Sequence, residues 1–140
     1  MSDRHTRMRL KCRYEGNNNT IAGLEVEHEV DSGWQSLDLS VVSPGFDLFV
    51  YALFHCQHTY FRINCAEREL VLDSAGGSIE ITTDGDWKML DLQVQFSGRL
   101  VSGHASQDDI DYIVARMKQC PASRNIREPE GASTTISLAS

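Results

Sequence analysis

The sequence predicts an α+β fold in which antiparallel β-hairpins pack with a long central helix and a second, shorter one. Three observations carry this. Two stretches near the N-terminus alternate apolar and charged residues with the period of a half-buried strand. An evenly apolar run begins at Phe46 and repeats at helical spacing. A second pair of alternating stretches flanks Asp84-Gly85-Asp86, a turn signal. The 140 residues suit a single domain, 1–140, long enough for a real core.

In the first stretch Met8, Leu10, Cys12 and Tyr14 share one face, and Arg7, Arg9, Lys11 and Arg13 the other. In the second, Leu24, Val26, His28 and Val30 oppose Glu25, Glu27 and Glu29. The turn-rich segment 16–20 joins them. A hairpin pairing Arg13 with Glu25, Lys11 with Glu27 and Arg9 with Glu29 sets opposite charges across the ladder. Each such pair adds ~0.2–1 kcal/mol and helps fix register. The ladder is therefore structural, and Cys12, on the apolar face, reads as core.

Residues 32–45 read as a connection with a short strand near Leu37 to Val41. From Phe46 to about Ala66, Phe49, Leu53, Cys56 and Tyr60 fall on one helical face, widened by Phe46, Val50 and Phe54. A helix apolar nearly all round is a buried central helix. Ser78–Thr83 and Leu90–Phe96 form the second hairpin. Ser106 to Asp109 resembles a capping box and starts a helix whose apolar face is Ile110, Ile113, Val114 and Met117. Pro121 disfavours helical geometry at the residue before it, so this helix ends near Gln119. Thr134 to Leu138 reads as a last strand.

The net charge of −7 argues against nucleic acid or an anionic membrane as partner, since both call for a basic surface. No apolar run is long enough for a transmembrane helix, and the polar N-terminus carries no secretory signal. A cytoplasmic location follows, where thiols are kept reduced. The four cysteines lack C-x-x-C spacing and read neither as a zinc site nor as a disulfide framework. His55 and His58, three apart, have no further ligand at motif spacing, so no metal is expected.

Cys56 and Cys120 stand in distinct settings: one buried on the long helix, the other at a helix end, opening Cys120-Pro-Ala-Ser-Arg-Asn-Ile126. Such a pair can hold two electrons as thiols or release them as a disulfide. A reactive thiol needs a lowered pKa, and a second thiol protects its sulfenic acid from over-oxidation. Cys65, near the polar end of the long helix, has no assigned role.

The string from Ser43 to Cys56, the string from Cys120 to Ile126 and the element order together resemble the OsmC/Ohr family of bacterial thiol-dependent peroxidases. The resemblance implies an OsmC-like fold, an intertwined homodimer and active sites at the subunit interface. It implies reduction of organic hydroperoxides in oxidative stress defence. Cys56 would be the peroxidatic thiolate and Cys120 the resolving thiol, with their disulfide reduced by a small or lipoyl-type dithiol. No cofactor or metal is implied. The family's glutamate ten residues before the first cysteine is Phe46 here, and Asp47 stands nine before, as in other OsmC-like branches. Asp47 is thus the candidate catalytic carboxylate, and equally a first-turn carboxylate favoured by the helix dipole at ~0.3–1 kcal/mol. Arg13 and Arg124 are candidates for the activating arginine. The alternative is a catalytically inactive OsmC-like module that binds a small hydrophobic ligand.

Overall fold

The computed structural model describes residues 2–31, 33–127, 130–135 and 137. The strands are β1 (Arg4–Glu15), β2 (Thr20–Val30), β3 (Gly33–Ser36), β4 (Val71–Thr83) and β5 (Met89–Ser102). The helices are α1 (Gly45–Glu67), α2 (Gln107–Lys118) and α3 (Pro121–Arg124). The five strands form one antiparallel sheet in the order β3-β2-β1-β4-β5. One face of the sheet packs against α1, and α2 lies beside α1. No helix among the described residues is long and apolar enough to cross a membrane.

The alternation in β1 holds: Met8, Leu10, Cys12 and Tyr14 are buried, while Arg9, Lys11 and Arg13 are exposed. The hairpin register differs from the predicted one by two residues. Arg9 faces Glu27, Lys11 faces Glu25, and Arg13 faces Gly23. A shift of two keeps every side chain on its own face, so the hydrophobic pattern cannot tell the two registers apart. The turn decides between them. Gly16 and Asn19 both take positive φ, and a bulge falls between Arg13 and Tyr14. The charges still pair, as Arg7–Glu29 at 2.7 Å and Arg9–Glu27 at 2.8 Å, and Arg7 also reaches Glu80 on β4.

Asn19 also locks the hairpin to the rest of the fold. Fully buried, it donates from Nδ2 to the carbonyls of Arg62 (3.0 Å) and Leu70 (3.1 Å), and its Oδ1 accepts from the Leu72 N–H at 2.7 Å.

Other elements depart from expectation for local reasons. The short strand lies at Gly33–Ser36 rather than 37–41, with Trp34 opposite Glu29; only the Leu37 N–H continues the pairing, to the Val26 carbonyl at 2.8 Å. α1 is not buried all round. Val50, Leu53, Phe54, Gln57, His58, Asn64 and Cys65 face the core, while Leu48, Phe49 and Ile63 are exposed. Cys65 is therefore a core residue. β4 and β5 run longer than their apolar alternation suggested, because glycines interrupt the pattern. A Cβ on Gly77 would lie 2.5 Å from the Phe96 ring, and one on Gly98 would lie 2.9 Å from Leu72. The strand thus needs glycine where side chains cross it closely. Ser106 caps α2 in a reciprocal box with Asp109, and the helix ends at Gln119. Of the predicted last strand, Thr134, Thr135 and Ser137 have no regular structure, and Ile136 and Leu138 lie outside the described residues.

Candidate active site

Cys56 lies midway along α1, and Cys120 occupies the N-cap of α3. The cap follows from the sequence. Pro121 holds Cys120 in an extended conformation (φ −61°, ψ 149°) and itself takes the first helical position, where its missing N–H costs nothing. The Cys120 N–H donates to the Met117 carbonyl at 3.2 Å, and its carbonyl accepts from the Arg124 N–H at 3.0 Å. The residue is thus tied to α2 on one side and α3 on the other.

The two sulfurs, 64 residues apart in sequence, are neighbours in space, and all four cysteines are free thiols. Cys56, expected to be buried, is the more open of the two. Cys120 is 0 % exposed, and Cys56 is partly open. Burial pushes the Cys56 thiol above its ordinary pKa, the Ala122 backbone N–H opposes this, and the Cys120 thiol adds to the rise. No arginine is among these influences. Arg13 lies on the outer face of the sheet with its guanidinium over Gly23, and Arg124 is exposed in the last turn of α3.

Asp47 sits in the first turn of α1. Nine residues along an α-helix are about 13 Å of rise and about half a turn, so Asp47 does not reach Cys56 within one chain. At the neighbouring position Phe46 enters an aromatic cluster with Phe49 (5.8 Å) and Trp87 (5.1 Å). Arg4, not singled out from sequence, stacks on the outer side of this cluster, 4.3 Å from the Trp87 ring.

Sequence reasoning also missed the hydrogen bonds around Cys120. Its Sγ donates to Ser123 Oγ at 3.1 Å and accepts from the Ser123 N–H at 3.4 Å. Gln57 Nε2 donates to the same Ser123 Oγ at 2.9 Å. The signals were present: a serine three residues after Cys120, two after Pro121, and a glutamine on the inner side of α1 next to Cys56. Gln57 also lines an apolar cavity of about 670 Å³ between α1, α2 and β5, with Phe61, Leu72, Phe96 and Met117 among its walls.

His55 and His58 do not converge on a ligand. His58 is buried, with Nε2 2.7 Å from the Tyr14 hydroxyl and its ring stacked on Phe96, while His55 is exposed and stacks on Tyr51.

The structure thus combines a five-stranded antiparallel sheet with a long helix, α1, that carries one thiol close to a second thiol at the cap of α3. An OsmC-like hydroperoxide resistance protein from Jannaschia sp. CCS1 has the same architecture. The two structures superpose with a TM-score of 0.57 at 12 % identity, over 94 % of this chain and 90 % of that one. The fold of this protein is OsmC-like. No protein-family model matches the sequence, and no curated protein matches it significantly.

Proposed function

We propose that the protein is a thiol-dependent peroxidase that reduces organic hydroperoxides in oxidative stress defence. The observation that carries this reading is the adjacency of Cys56 and Cys120, with the more accessible thiol on the rigid helix. The Cys56 thiolate attacks the peroxide, the O–O bond breaks, and the alkoxide leaves as the alcohol after taking a proton. The sulfenic acid on Cys56 is then attacked by Cys120, giving the disulfide and water. A dithiol of lipoyl type restores both thiols by two exchanges and becomes a disulfide itself. The working form is an intertwined homodimer in the cytoplasm, with no metal or organic cofactor. Asp47 acts across the subunit interface of that dimer.

The test is one equivalent of cumene hydroperoxide, followed by alkylation, intact mass and peptide mapping. A rapid Cys56–Cys120 disulfide supports the reading, and four alkylatable thiols with the peroxide unconsumed would sink it.

The raised Cys56 pKa and the 670 Å³ apolar cavity favour a second reading, an inactive OsmC-like module that holds a small hydrophobic ligand. Cys120→Ser separates the two. It abolishes turnover of a peroxidase and leaves ligand binding intact.

A further inference from the structure

We propose that Ser123 carries the proton of Cys120 during disulfide closure, and that Gln57 positions it for this. The inference rests on the peroxidase reading and adds two residues to it.

A serine oxygen has two lone pairs and one hydrogen. Both lone pairs of Ser123 Oγ are engaged, by the Gln57 amide at 2.9 Å and by the Cys120 S–H at 3.1 Å. Beyond the Cys120 sulfur itself, its own hydrogen meets no acceptor among the described residues. An oxygen that receives two donors gives up its hydrogen more readily, so the hydroxyl is set to take one proton and pass on another. The Ser123 N–H, 3.4 Å from the Cys120 sulfur, remains in place to stabilise that sulfur as its proton departs.

The closure step requires such a transfer. The Cys120 sulfur supplies the electron pair of the new S–S bond. The S–O bond of the Cys56 sulfenic acid breaks, and the oxygen leaves with the electron pair of that S–O bond. The proton lost from Cys120 enters the Ser123 hydroxyl, whose own hydrogen completes the departing water. Cys120 is 0 % exposed, so bulk water is poorly placed to do this. Gln57 touches no reacting sulfur and acts through Ser123; it is a positioning residue.

The experiment is rapid-quench mass spectrometry of the full-length protein after cumene hydroperoxide, with dimedone trapping the sulfenic acid. Two rates are read separately: sulfenic acid formation on Cys56, and its conversion to the disulfide. Ser123→Ala keeps the backbone N–H and removes only the hydroxyl. It should leave the first rate unchanged and slow the second on the order of 100-fold, the lower end of what a placed acid–base group contributes. Ser123→Thr, which restores a hydroxyl, should recover closure. Gln57→Leu should slow closure by about tenfold, as loss of one hydrogen bond would. Closure at the wild-type rate in Ser123→Ala, with sulfenic acid formed normally, would overturn the proposal while leaving the peroxidase reading standing. If wild-type protein forms neither sulfenic acid nor disulfide, the peroxidase reading fails and the proposal fails with it.

Discussion

The Tyr14 hydroxyl and His58 Nε2 meet at 2.7 Å in the core, joining β1 to α1 through a buried polar contact. Burial is the main reason that the His58 pKa falls to about 4, with the charges of Arg62 and His55 adding to it. His58 therefore stays neutral in the folded protein. The unfolded chain binds its proton near pH 6.5, so stability is full above pH 6.5 and is lost as pH falls from there toward 4. The loss amounts to roughly 3 kcal/mol. Urea titrations at pH 7 and pH 5 should show about 2 kcal/mol of it, and His58→Gln should flatten the difference.

Removing the other partner tests the same contact from the opposite side. Tyr14→Phe leaves His58 Nε2 buried without its hydrogen bond, and His58 Nδ1 already has no partner among the described residues. The expected cost is about 1–3 kcal/mol, read as a fall in the urea midpoint at pH 7.

Gly77 faces the Phe96 ring, which is itself held by stacking on His58 and Phe61 and by Phe54. Gly77→Ala should destabilise by about 1–3 kcal/mol, because moving that ring aside gives up its stacking on His58 and Phe61. Gly76→Ala is the control. Its Cβ would come no nearer than 3.9 Å to any atom, and thermal melts should place it close to wild type.

The Ser106 side chain accepts the Asp109 N–H at 3.1 Å, and Asp109 returns a bond to the Ser106 N–H at 3.0 Å. Ser106→Ala should cost ~1 kcal/mol. Circular dichroism melts should report a lower midpoint with unchanged helix content below it.

At neutral pH Cys56 rests as a thiol, since burial and the Cys120 thiol hold its pKa above the ordinary value. Iodoacetamide should therefore modify Cys56 more slowly than free cysteine at pH 7, with the rate climbing well into the alkaline range. A fast, pH-insensitive reaction at pH 7 would mean that some cation reaches Cys56 and reverses the shift.

Much of the fold was legible because strong periodicity marks it. The face of β1 from Met8 to Tyr14, the start of α1 and the Ser106 cap all follow from side-chain spacing. The register of the first hairpin did not, because two registers differing by two residues have identical hydrophobic patterns and the left-handed Asn19 chooses between them. The Gly76-Gly77 segment hid half of β4, since glycine there serves the packing of Phe96 rather than strand propensity. At the site, the two cysteines stood out as residue types, but their mutual contact is tertiary. Ser123 and Gln57 each stand beside a cysteine in the sequence, but the bond between them forms only where α3 meets α1. Asp47 shows the limit in the other direction: its closeness to Cys56 in sequence becomes separation on a helix.

The strand order has a consequence for how the chain reaches this state. β1 lies in the middle of the sheet, yet its second partner, β4, comes at least 61 residues later, where Arg13 pairs with Ser74. During synthesis the first hairpin emerges with the apolar face of Met8, Leu10 and Cys12 uncovered and one backbone edge unpaired. It stays so until α1 and β4 have left the ribosome. Closing so wide a loop is slow, which places folding toward the slower end for a chain of this size. For that interval the bare edge can recruit a strand from another nascent chain, and the arginines and lysine along β1 supply the charge that discourages it.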